Sequence, residues 1–286
     1  MKPALPLLGF TALPITAAVT LNFDTAVFSD SFGNSNGDPE ELRWSNIGNF
    51  NGIDLDLVAT TAAGSTYVPG SGPVNASGPL PAGGQNPGSN VPEGATRIKV
   101  QRNTDVTFDF IFVNQSTGNA VVLDEFVISF WDFDLTDRTA QNQGIVDETL
   151  TFLGLGGTDT GASFTYTTGK LFDIDTSNPN QPIFRSTQAG SQSDNPSDLT
   201  NLTEEQEDKV IELTFSNAAS FRVNLAVGGT SSSDARTFFV GGDVTFDPST
   251  PITTEPVPDP PSIPVPEPSV PLTLLLSSAL FWRRLR

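Results

Sequence analysis

Hydrophobic and polar residues alternate with a period of two along much of the chain, the pattern of half-buried strands. In Val106–Val113, the residues Val106, Phe108, Phe110 and Phe112 fall on one face. In the next run Phe126, Ile128 and Phe130 share a face, with Val127, Trp131 and Phe133 opposite. Phe221, Val223, Leu225 and Val227 alternate with Arg222, Asn224 and Ala226. Further strands are predicted over 19–28, 53–60, 96–100, 121–123, 148–153, 163–167, 210–215 and 237–246. Helical periodicity is nearly missing. Thr203-Glu-Glu-Gln206 has the form of a capping box and predicts one or two helical turns.

About ten short strands separated by Gly, Asn, Asp and Ser clusters predict an all-β fold, a single jelly-roll-like β-sandwich. Twenty-one phenylalanines against one methionine suit a core filled across two inner faces. No linker composition interrupts residues 19–247, which are expected to form one domain. Two stretches, 69–92 and 177–198, read as long mobile loops. From 248 to 264 the chain is a disordered Pro-rich linker of extended, polyproline type; ten prolines stand between 248 and 271.

The two ends read as addresses. Met1-Lys2, an apolar stretch from Ala4 to Ile15 and the small residues Thr16-Ala17-Ala18 predict a signal peptide over 1–18, cut by signal peptidase. The C-terminal segment 265–286 has three parts: Val265-Pro266-Glu267-Pro268, an apolar run from Val270 to Trp282, and the basic end Arg283, Arg284 and Arg286. A lasting membrane span needs about 20 apolar residues. This run is 13 long and contains Pro271. It predicts transient insertion, with the arginines on the cytoplasmic side.

That order of parts resembles the PEP-CTERM sorting signal, although the glycine often found in its hydrophobic stretch is replaced here by Ser277-Ser278-Ala279. The resemblance covers under a tenth of the chain and concerns destination. It implies a short hydrophobic sorting helix and cleavage near Pro266-Glu267-Pro268 by the membrane enzyme exosortase. It implies, too, a cell-surface or extracellular destination in a bacterium that makes extracellular polysaccharide. The chain would be a substrate of that processing, not its catalyst.

Charge narrows the partners. The formal net charge is −19; removing Lys2 and the three tail arginines leaves 10 basic residues against 33 acidic ones, near −23. Such a balance opposes nucleic acid and anionic membrane surfaces and favours cations. Cysteine and histidine are both absent. Disulfides, histidine-based nucleophile systems and the usual zinc, copper and haem ligand sets are therefore excluded.

The remaining candidate chemistry is acidic or aromatic. Asp124 and Glu125 begin a predicted strand, and Asp132, Asp134 and Asp137 follow its other end. Oxygen-rich loops at a sandwich edge suit calcium; the opposing reading is that these acids end a strand and solvate a turn. Asp132 and Asp134 would share a side if the strand continued. Asp147-Glu148 could approach them. Asp54 and Asp56 alternate with Ile53, Leu55 and Leu57, which reads as the solvated face of a strand. Joined to the first cluster they would admit an alternative role, a secreted carboxylate-only glycoside hydrolase. Trp44, Tyr67 and Trp131 are candidate platforms for sugar rings, against a bland reading as core. The favoured function is a non-enzymatic structural or adhesive surface protein, with calcium and extracellular polysaccharide as candidate ligands.

Overall fold

The computed structural model describes residues 18–32, 40–68, 76–77, 94–137, 145–156, 161–190, 199, 202–229 and 235–242. The segments expected to be signal peptide (apart from Ala18), linker and sorting tail, and most of the 69–92 stretch, lie outside the described residues.

Two antiparallel sheets pack face to face as a β-sandwich. The first has nine strands: β1 (Val27–Asp30), β2 (Glu41–Phe50), β3 (Ile53–Thr61), β6 (Thr104–Asn114), β14 (Ser220–Val227), β9 (Ile145–Gly156), β12 (Ile183–Ser186) and β11 (Phe172–Asp175) in spatial order, with β8 (Leu135–Asp137) also on β9. The second has six: β10 (Ser163–Thr168), β13 (Ile211–Ala218), β7 (Leu123–Trp131), β15 (Ala235–Gly241), β5 (Ala95–Gln101) and β4 (Ala76–Ser77). The helix α1 (Glu204–Glu207) carries the expected capping box: Thr203 Oγ1 accepts from the Gln206 N–H, and the Gln206 side chain accepts from the Thr203 N–H.

The alternation read from the sequence sets which residues meet between the sheets. Phe108, Phe110 and Phe112 of β6, and Phe221, Val223 and Leu225 of β14, are fully or almost fully buried in the main core. From the second sheet Phe126, Ile128 and Phe130 of β7 meet them, with Leu213 and Phe215 of β13. Aromatic rings carry the contact: Phe112 meets Phe126 at 4.7 Å and Phe152 meets Phe164 at 3.8 Å, each pair spanning the two sheets. Such pairs add about 0.5–1.5 kcal/mol each beyond burial alone.

Several expectations are corrected. The 19–28 strand shrinks to an isolated parallel bridge from Val19 to Phe126 and then to β1. The 177–198 stretch is not simply a loop, because it contains β12, which pairs with both β9 and β11. Trp131 does lie opposite Phe130, in a smaller cluster with Ala95, Leu199, Val210 and Phe239. Phe133 does not join it; it returns to the main core against Phe172 and Phe238. The cause is Asp132, whose φ of 69° is left-handed and resets the alternation. For the same reason Asp132 and Asp134 are not alternate residues of one continuing strand: β7 ends at Trp131.

Candidate functional site

A network of largely buried charged side chains lies at one end of the sandwich. Its members come from four places. Glu148 stands on β9 between Val146 and Leu150, both core residues, so the strand's period carries its carboxyl inward. Arg236 shares a face of β15 with the core residues Phe238 and Val240. Lys209, just before β13, has the parity of the buried Ile211 and Leu213 and is only 3% exposed. Asp132 and Asp134 lie where the chain crosses from the end of β7 in one sheet to β8 on the other.

Lys209 Nζ lies 2.8 Å from Asp134 Oδ1, with both side chains almost wholly buried. Arg236 Nε lies 3.3 Å from Glu148 Oε1. The main chain of Asp134 is held at both polar atoms. Its N–H donates to Glu148 Oε2 at 2.8 Å, and its carbonyl accepts from Ser186 Oγ at 2.7 Å and from the Glu148 N–H at 3.2 Å. The next residue, Leu135, donates its N–H to the carbonyl of Gln188. Gly190 packs so tightly on Asp134 that a Cβ there would fall on the carboxyl group.

Burial pushes the Glu148 carboxyl well above the ordinary carboxylate range. The negative charge of Asp132 adds to the rise and Arg236 opposes it; Asp134 raises it further, while the Asp134 N–H works against it. The network thus holds two cations of the chain's own, and burying either cation without its acid would be costly.

The sequence-derived acids are distributed differently from the calcium reading. Asp124 and Glu125 start the nine-residue β7, and Asp132 and Asp134 lie beyond its far end, roughly 25 Å away at the usual strand rise. Asp137 is placed in β8 by its backbone. Among the described residues no group of three or more acids forms an arrangement that could hold a metal ion. Asp147 and Glu148 alternate, and only Glu148 is fully buried in the network.

Asp56 is not on a solvated face. It is 3% exposed and accepts from Arg43 Nη1 at 2.9 Å, from the Asn46 N–H at 3.0 Å and from Ser45 Oγ. Asp54 accepts from the Asn49 side chain.

The tryptophans are corrected too. Trp44 is fully buried and stacks on Phe110 at 6.3 Å. Trp131 is equally buried, and its indole N–H donates to Ser129 Oγ at 2.7 Å. Neither presents a ring face to a sugar. Tyr67 is half-buried, edge-on to Phe32 and Phe108, with its hydroxyl donating to the Lys99 carbonyl.

Lys209, Arg236 and Ser186 were not among the sequence candidates. A signal did exist for Glu148: it interrupts the inward series Val146, Leu150, Phe152 with a carboxylate.

No family model matches the chain, and no curated protein does. Among solved structures, it is similar to the N-terminal domain of the Streptococcus gordonii adhesin Sgo0707, at 12% identity and TM-score 0.40, over 76% of this chain and 48% of that one. It is also similar to the adhesin domain of PrgB from Enterococcus faecalis, at 12% identity and TM-score 0.35, over 77% and 66% respectively. The chain therefore spans less than two thirds of either structure, and likeness at this depth assigns no ligand.

Proposed function

We propose that this chain is an exported surface or matrix protein, trimmed by signal peptidase and by exosortase, whose β-sandwich body acts as a structural or adhesive module. The carrying observation is the sequence of parts at the C-terminus: Val265-Pro266-Glu267-Pro268, a 13-residue apolar run, then Arg283, Arg284 and Arg286. An apolar run this short holds a chain at a bilayer weakly, which suits a segment that is later removed. The inner membrane is then a stopping point, and the cell surface or the surrounding polysaccharide the destination.

The body supports a role without turnover. Three of the acids that a carboxylate-only hydrolase would draw on are engaged in structural bonds: Asp56 with Arg43, Asp54 with Asn49, Asp134 with Lys209. The candidate sugar platforms are spent on the core. Polysaccharide contact would fall to the acidic, polar outer faces and loops.

The test is fractionation of a polysaccharide-producing host expressing the full chain, with Glu267→Gln alone and with all three tail arginines changed to Gln. Retention of longer, membrane-held protein in both variants is the expected result. Release of both at the level of the unchanged protein would count against the sorting reading.

A further inference from the structure

We propose that Lys209 and Asp134 condense into an intramolecular amide, an isopeptide cross-link that ties the entry of β13 to the crossing between β7 and β8. The proposal stands on the geometry of the pair and does not depend on the route by which the chain is exported.

The reacting groups are already in contact. Lys209 Nζ lies 2.8 Å from Asp134 Oδ1, with both side chains almost fully out of water. Holding an amine and a carboxyl in contact removes the entropic cost of bringing the two together. The electrophile cannot turn away, because its main chain is fixed by Glu148 and Ser186 and its carboxyl is capped by Gly190. The nucleophile is placed by a backbone anchored on both sides: the Lys209 N–H donates to the Gln206 carbonyl, and the carbonyls of Asp208 and Val210 accept from Leu171 and Gly169.

For the amine to attack, a proton must first pass from the ammonium to the carboxylate, which leaves a neutral amine against a neutral acid. The nitrogen lone pair forms the N–Cγ bond, and one C–O bond of Asp134 breaks. Glu148, fastened to the Asp134 main chain and with a carboxyl that holds its proton to higher pH than usual, is the proton relay. It gives a proton to the departing hydroxyl and recovers one from the nitrogen. One water leaves and Glu148 returns to its starting state; no oxidant or cofactor is consumed. A neutral amide replaces two buried charges, and the dry surroundings oppose hydrolysis back to the acid.

Peptide mapping of the purified full chain, unfolded and digested with trypsin, tests this. Trypsin cutting after Arg102, Arg138, Arg185 and Arg222 should release a branched product in which 103–138 is joined to 186–222. Its mass should be one water below the sum of the two peptides, with Lys209 uncut. Lys209→Arg and Asp134→Ala should each yield only linear peptides. In Glu148→Gln the branched product should fall at least tenfold in chains that still melt cooperatively, and Glu148→Asp should restore part of it. An unchanged chain that gives 134 and 209 in separate linear peptides, with cleavage after Lys209, overturns the proposal whatever the variants do. Full bonding in Glu148→Gln overturns the relay.

Discussion

Phe215 of one sheet stacks on Phe221 of the other, with ring centroids 4.7 Å apart and planes at 27°. Phe221 also lies flat against Phe110, at 4.8 Å and 3°, within its own sheet. One ring therefore joins the inner faces of both layers at mid-core. Phe221→Ala should lower stability by about 3–5 kcal/mol, through lost burial and an unfilled cavity. Phe221→Leu should cost less, because most of the volume is kept. Denaturant unfolding monitored by tryptophan emission measures both, with the slope against denaturant unchanged.

Glu148 predicts a dependence on pH. Its native carboxyl holds its proton above the ordinary value of 4.5, so between that value and its native pKa the folded state binds more protons than the unfolded one. Its contribution is therefore fully present below about pH 4.5 and is lost as pH rises through the native value. Glu148→Gln cannot ionise and lacks this slope. The stability of the variant relative to the unchanged chain should improve steadily from acid to neutral pH. Parallel unfolding curves at stepped pH measure the difference; a constant gap would contradict the burial of a titrating carboxyl.

Gly190 predicts a packing defect. A methyl group there would land on the Asp134 carboxyl, whose main chain is pinned, so Gly190→Ala should cost about 1–3 kcal/mol, as overpacking does. Gly118→Ala provides a contrast. Nothing lies near its Cβ position, and its φ of 71° makes backbone strain its only cost. Thermal melts of the two variants separate clash from strain.

Asp56 holds a bulge. Asn46, at φ 60°, interrupts β2 where the register against β3 shifts, and its N–H is received by Asp56. Asp56→Ala leaves that N–H and Arg43 without this acceptor and should cost about 1–3 kcal/mol. Amide hydrogen exchange should rise first at Asn46 and Ile47, and only later in β6.

The long strands were legible because each carries an uninterrupted period: β6, β14 and the first part of β7 place every second residue in the core. Where the backbone departs from plain pleating, the period fails. Asn46 breaks β2 between Trp44 and Ile47, which hid the whole strand, and Asp132 turned Phe133 to the other side of the sheet. The four-residue β11 and β12 are too short to stand out among polar neighbours. The buried network was less readable still. Its central pair is 75 residues apart, and Lys209 follows the acidic Glu204-Glu-Gln-Glu-Asp208, which reads as a solvated helix end. The acids could be nominated from spacing. The bases that meet them depend on how two sheets close.

The final described strand, β15, lies in the middle of its sheet rather than at a margin. Phe239, Val240 and Gly241 pair with β7 on one side and β5 on the other, and the Gly242 carbonyl accepts from Ser129 Oγ. A pull along the axis of β15 would therefore load two ladders at once, since the strand is paired on both sides. In mechanical terms, the last described strand is clamped, not hung.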